Sequence, residues 1–260
     1  MGCFNDEVLF IHIPKTGGTA VKEAMWKQLP GMQGQQPATP GVQQKADAQS
    51  PFPIGHMRLA DVEHILGRPA SSFRHVVAVL RNPYVQTVSQ WLFWQGRYQR
   101  GGRHEHDLAA AAYPTIHGFL EDPRCDFHRW YGTEFTPRQP MAENPSNLYK
   151  DFGGTYLWWL TGQDGKLPEN LTLLRMEQLQ SDLAEFSARN LRTVLQLDQV
   201  NVGGWKQGQV MDYLVHRDSP QRSLRALDLV EAKFRWAFGL HYRRVDRAQF
   251  LQQWAQAGLL

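Results

Sequence analysis

Lys15, Thr16, Gly17, Gly18, Thr19 and Ala20 follow one another in an order that suits an anion. Lysine brings a full positive charge, the threonines bring hydroxyl donors, and glycines let backbone N–H groups approach a ligand closely. Arg81 and Ser89 form a second group. A guanidinium gives a phosphate two parallel hydrogen bonds, and a hydroxyl adds one more. His56, preceded by Gly55, is a third candidate, because histidine is the usual proton acceptor near neutral pH. Each residue also has a plainer reading: a strand–turn–helix with a surface lysine, a helix-end salt bridge for Arg81, a solvated helix position for Ser89, a capping histidine for His56.

The elements that must hold these residues can be read from the same stretches. Val8-Leu9-Phe10-Ile11 is an apolar, partly β-branched run that suits a buried strand. It breaks at Pro14, and a helix opens at Thr19 with Val21, Ala24, Met25 and Leu29 on one face. The first-turn N–H groups and the helix dipole then favour negative charge at that turn. His75–Leu80 reads as a strand buried on both faces. Asn82 suits the N-cap and Pro83 the first turn of a helix predicted over Pro83–Phe93. Further helices are predicted over Arg58–Leu66, Asp182–Leu197, Gln221–Phe238 and Asp246–Leu260, and a strand over Leu171 onward. Alternating strands and helices predict an α/β fold with a parallel sheet flanked by helices.

The length of 260 residues, with 42% hydrophobic and 20% charged residues, fits one globular domain over 1–260. Residues 30–53 are rich in Gln, Pro and Gly and read as a mobile loop, bordering a substrate cleft or simply inserted. Net charge is +3, which gives no argument for nucleic acid as a partner. Two cysteines, Cys3 and Cys125, make no disulfide framework and suit a reducing compartment. No apolar run is long enough to cross a membrane and the N-terminus lacks signal-peptide character, so a cytoplasmic protein without stable membrane insertion is expected. His104-Glu105-His106-Asp107 lacks the spacing that puts two histidines on one helix face, and no metal is expected there. Arg97, Arg100 and Arg103 form a basic cluster, read as a solvated loop or as a receiver of an anionic glycan.

Neither G-x-x-x-x-G-K-[ST] nor G-x-G-x-x-G occurs, so the common nucleotide fingerprints are absent. The order P-K-T-G-G-T after an apolar strand instead resembles the 5′-phosphosulfate loop of sulfotransferases that use 3′-phosphoadenosine 5′-phosphosulfate (PAPS). LRNPYVQTVSQW resembles the family's R-[DN]-P-x-x-x-x-x-S pattern, whose Arg and Ser hold the 3′-phosphate; Arg81 and Ser89 match it. Gly55-His56 lies between the two motifs, as in the group that includes heparan sulfate 2-O-sulfotransferase and its bacterial relatives. Glu177-x-Leu179 after the late strand is similar to a structural phrase of the family. Lys206, in the Gly-rich stretch Val200–Gly208, matches a late nucleotide-closing loop only loosely, since the usual R-K-G triplet is missing.

The resemblance implies the P-loop-like sulfotransferase fold and sulfuryl transfer from PAPS to an acceptor hydroxyl, with a glycan favoured and no metal required. It implies Lys15 at the leaving phosphate, backbone N–H groups of Gly17 to Ala20 on the 5′-phosphate, Arg81 and Ser89 on the 3′-phosphate, and His56 as general base. His12 competes for that last role, but its place after a buried strand gives it a structural part. Two other readings stay open: a non-catalytic binder of the desulfated nucleotide PAP or of an anionic glycan, and a small-metabolite kinase of related fold. The kinase would need a Walker-type Lys and a Mg²⁺-holding Asp, and neither is evident.

Overall fold

The structure is a computed structural model that describes residues 2–34, 56–102, 105–121, 155–198, 212–240, 242 and 245–258. These residues fall into two compact units. Of the described residues, one unit takes those up to Arg81 and from Tyr156 to residue 198; the other takes those from Asn82 to 121, Thr155, and those from Asp212 onward.

The first unit is α/β. Its sheet has strands β1 (Cys3–Phe4), β2 (Val8–Ile11), β3 (Gln33–Gly34), β4 (His75–Leu80) and β5 (Leu171–Arg175) in the order β3-β1-β2-β4-β5. β2, β4 and β5 are parallel, with Val8 opposite His75 and Leu80 opposite Arg175. All of β2 and all of β4 but His75 are buried, which is why both read as unbroken apolar runs. The expectation of a wholly parallel sheet needs correction, because β1 pairs antiparallel with both β2 and β3. The cause is local: the Asn5 carboxamide accepts from the Glu7 N–H (3.0 Å) and the Val8 N–H (2.8 Å) and turns the chain into a hairpin. β3 lies in the first residues of the segment read as a loop, of which 35–53 fall outside the described residues.

Helix α1 (Gly18–Gln28) packs Val21, Ala24 and Met25 against Val8, Phe10, Val77 and Val79. Leu179, Leu183 and Phe186, from the later helix that follows β5, join the same core. Each fully buried aliphatic or aromatic side chain there contributes about 1.5–3 kcal/mol. Helix α2 (Leu59–Leu66) begins just after His56.

From β4 the chain passes through Arg81 and Asn82 into helix α3 (Pro83–Gln99) of the second unit. The Asn82 carboxamide accepts from the Tyr84 N–H at 3.0 Å, and Pro83 opens the first turn, as their types require. α3 runs beyond the expected Phe93 because Trp94 continues its buried stripe. The described residues of this unit are otherwise helical: α4 (Glu105–Ala112), α5 (Ile116–Glu121), and three C-terminal helices described next. Between α5 and those helices in chain order, α6 (Thr155–Leu160) and α7 (Leu179–Asn190) complete the sequence, and Tyr156–Leu160 and α7 lie in the first unit. α8 (Pro220–Lys233) and α9 (Arg235–Leu240) replace the single helix expected over Gln221–Phe238, with the break at Phe234, and α10 (Val245–Gln256) follows. Among the described residues no helix is long and apolar enough to cross a membrane.

Candidate active site

β2 and β4 are parallel neighbours, so the segments leaving their carboxyl ends emerge side by side. In open α/β sheets ligands bind there. The segment after β2 is His12-Ile13-Pro14-Lys15-Thr16-Gly17, and the segment after β4 is Arg81-Asn82. Arg81 and Lys15, 66 residues apart in sequence, meet: the Arg81 Nη1 donates to the Lys15 carbonyl oxygen at 3.1 Å. The two motif cations therefore share one place. Burial first, and then the Arg81 charge, lower the Lys15 pKa. Two cations in partly dewatered surroundings attract an anion.

The loop backbone is unusual here. Lys15 (φ 63°) and Gly17 (φ 87°) are left-handed, and Thr16 between them is not. Residues of alternating hand can turn successive N–H groups toward one side, the form of an anion-binding nest. For a lysine the left-handed form costs about 1–2 kcal/mol. A hydrogen bond from a charged donor is worth about 1.5–3 kcal/mol, so the Arg81 contact offsets that cost. At Gly17 a Cβ would lie 2.1 Å from the Met176 Sδ, so the methionine side chain would have to shift, and the positive φ strains any L residue there. A Cβ on Gly18 would lie 2.3 Å from the His12 ring. No side chain caps α1, and no acidic residue stands in its first turn to compete for the donors.

Two further contacts shape this loop. Thr16 is fully buried and its hydroxyl donates to the Ile13 carbonyl at 2.9 Å, which braces the turn. The Ala20 N–H donates to the Gly17 carbonyl at 3.2 Å, because the first helical turn is tight, and is turned into the helix. Gly17, Gly18 and the exposed Thr19 remain at the mouth of α1.

His56 stands beside this loop. Its Nδ1 is 3.1 Å from the His12 carbonyl oxygen, and its ring meets the His12 ring edge-on with centroids 4.6 Å apart. A carbonyl only accepts, so Nδ1 carries the proton and Nε2 keeps its lone pair, the form a general base needs. Burial first, and then nearby positive charges including Lys22 and Lys15, hold the His56 pKa well below the ordinary 6.5, against the opposing pull of the His12 carbonyl. The imidazole is thus neutral at pH 7. The His12 ring packs on Gly18 and His56.

The segment carrying His56 is anchored at Arg58. The Arg58 guanidinium grips Asp61 through two bonds of 2.9 and 2.7 Å, both side chains are buried, and the Arg58 Cζ lies 4.7 Å from the Trp158 ring centroid. The sequence gives no sign of this brace beyond an i, i+3 pair at a helix start.

Ser89 is half-buried in the second turn of α3, in the second unit. Gly55 and Lys206 lie outside the described residues, as do Arg103, His104 and Cys125. Arg97 is no solvated loop residue, since it pairs with the fully buried Asp107 at 3.4 Å. Among the described residues no group of three or more His, Cys, Asp or Glu could hold a metal. Cys3 is buried and its thiol is pushed up to about 12, chiefly by burial, so it is not a nucleophile.

A cavity of about 910 Å³ opens at the other end of the same strands, lined by Glu63, Arg68, Phe73, Gln163, Lys166 and Asn170 among others. Of the carboxylates lining it, Glu63 accepts from the Ala70 and Gln163 N–H groups, each at 2.7 Å. None of Lys15, Arg81 and His56 lines it. The chain matches no family model, no curated protein and no solved structure, and its site is read from its own residues and geometry.

Proposed function

We propose that the chain is a PAPS-dependent sulfotransferase with the P-loop-like fold of that family. The observation that carries this reading is the meeting of Lys15 and Arg81, one from each motif, at the neighbouring carboxyl ends of β2 and β4. A neutral His56 whose Nδ1 donates to the His12 carbonyl beside the same loop supports it.

In this reading backbone N–H groups of Gly17, Gly18 and Thr19 hold the 5′-phosphate, and Arg81 holds the 3′-phosphate. The acceptor oxygen attacks sulfur in line. Its proton passes to the His56 Nε2, and the bond between sulfur and the bridging oxygen breaks. Lys15 stabilises the charge that grows on that leaving oxygen. Positioning and preorganised electrostatics carry most of the rate, as in phosphoryl transfer. The acceptor is a hydroxyl compound, with a glycan favoured by the resemblance alone, and the setting is cytoplasmic.

The test is transfer of radiolabelled sulfate from PAPS to a panel of glycan, tyrosyl-peptide, lipid and small-molecule hydroxyl acceptors. Label on one acceptor class supports the reading. Tight PAP binding with no transfer to any class makes the chain a non-catalytic binder, and no PAP binding refutes the assignment.

A further inference from the structure

The chain leaves β4 at Leu80, the last residue paired with β5, and enters α3 at Pro83. Arg81 lies between the ladder and the helix. Its two peptide groups are both engaged by one side chain from α6: the Arg81 N–H donates to the Tyr156 hydroxyl oxygen at 3.2 Å, and that hydroxyl donates to the Arg81 carbonyl at 2.7 Å. Tyr156 is 1% exposed, so its ring is locked by packing. Burial raises its pKa far above the ordinary tyrosine value, so it stays protonated and can donate and accept together. The Arg81 guanidinium in turn donates to the carbonyl of Lys15, the one non-glycine described with a left-handed backbone.

We propose that Tyr156 is a positioning residue for the phosphate site: its hydroxyl fixes the Arg81 peptide, and through the Arg81 guanidinium it holds the Lys15 peptide in its left-handed form. The functional part of this inference rests on the sulfotransferase reading; the mechanical part does not. The contact aims the Arg81 side chain from a fixed root and ties the loop after β2 to the loop after β4. Tyr156 touches no substrate in this scheme and acts only through Arg81.

Tyr156→Phe removes both hydrogen bonds and keeps the ring. Hydrogen exchange of the full chain is followed in peptides covering residues 12–20, residues 80–84 and α7. The expected result is about tenfold faster exchange in the first two peptides, the loss of roughly one net hydrogen bond, with α7 within about twofold of wild type. Arg81→Met breaks only the second link, and should loosen 12–20 as much as Tyr156→Phe does. The double variant should loosen 12–20 no further, since both act in series. Unchanged exchange at 12–20 in Tyr156→Phe, or equal loosening of α7, overturns the proposal. Should Tyr156→Phe fail to fold, Arg81→Met alone decides: no loosening at 12–20 refutes the link.

Titration with PAP and AMP separates this inference from the reading it rests on. The wild type should prefer PAP, and Tyr156→Phe should reduce the PAP-to-AMP preference about tenfold. A wild type without that preference, with the exchange results as expected, removes the sulfotransferase reading and leaves the positioning role. A wild type with the preference, and a Tyr156→Phe variant that keeps it in full, removes the positioning role alone.

Discussion

His56→Asn is the sharpest perturbation of the proposed chemistry. The asparagine amide sits near the place of Nδ1 and can still donate to the His12 carbonyl, which His56 meets at 3.1 Å. It has nothing at the position of Nε2. The variant therefore keeps the local fold and loses the base, and turnover should fall by roughly 10²–10⁴ while PAP affinity stays within a small factor of wild type. The pH profile adds an independent check. Because burial and neighbouring positive charge hold the His56 pKa well below 6.5, the wild-type rate should not fall as the solution passes through 6.5. The acid limb should appear only further down. Stability has the opposite reference: the unfolded histidine takes up its proton near 6.5, and the folded one resists. The unfolded state then binds more protons, so stability declines as pH drops below about 6.5, with a slope of at most about 1.4 kcal/mol per pH unit from this residue. The assays are steady-state sulfate transfer across pH 5–9 and denaturant melts at the same pH values (a range set by the reference pKa of about 6.5). Near-normal turnover in folded His56→Asn, or an acid limb centred at or above 6.5, would refute the base assignment and move the search to His12 or a carboxylate.

Lys15→Ala should lower turnover more than it lowers PAPS affinity, because charge on the leaving oxygen grows toward the transition state; single-turnover kinetics with a parallel titration would expose a purely binding role if turnover held. Gly17→Ala should cost stability of about 1–2 kcal/mol from its φ of 87° alone, and more from the overlap with Met176, and should weaken PAP; a thermal melt and a titration both like wild type would contradict the described loop. Asp61→Ala leaves the buried Arg58 charge unpaired and should destabilise by roughly 3–5 kcal/mol in a denaturant melt, with a loss below about 1 kcal/mol counting against the brace.

Much of the frame is legible in the sequence for a clear reason. β2 and β4 are buried on both faces, so Val8–Ile11 and His75–Leu80 are unbroken apolar runs with the boundaries the residues suggest. Asn82 and Pro83 announce α3 because cap chemistry is local. β1 and β3 are two residues each, too short for any period, and their hairpin depends on the Asn5 side chain. α7 ends at Asn190, short of the expected Leu197, because the chain folds back: the buried Leu195 donates its N–H to the Ser187 hydroxyl at 2.9 Å. In the site, residue types mark Lys15, Arg81 and His56, since charge and titration are properties of the side chain itself. The hydroxyls are harder. Thr16 looks like a ligand donor and faces Ile13, while Tyr156 looks like core and grips a residue 75 positions away. A hydroxyl's partner is set by tertiary geometry, which spacing along the chain does not carry.

In the proposed function the carboxyl ends of β2 and β4 form a site for a nucleotide with both a 5′- and a 3′-phosphate. Titration calorimetry of the full chain with PAP and, separately, with AMP tests it most directly. PAP should bind at micromolar affinity or tighter, and tighter than AMP by at least about tenfold, since a charge-assisted pair to the 3′-phosphate is worth roughly 1.5–3 kcal/mol. Equal affinities, or no heat with either nucleotide, would contradict it.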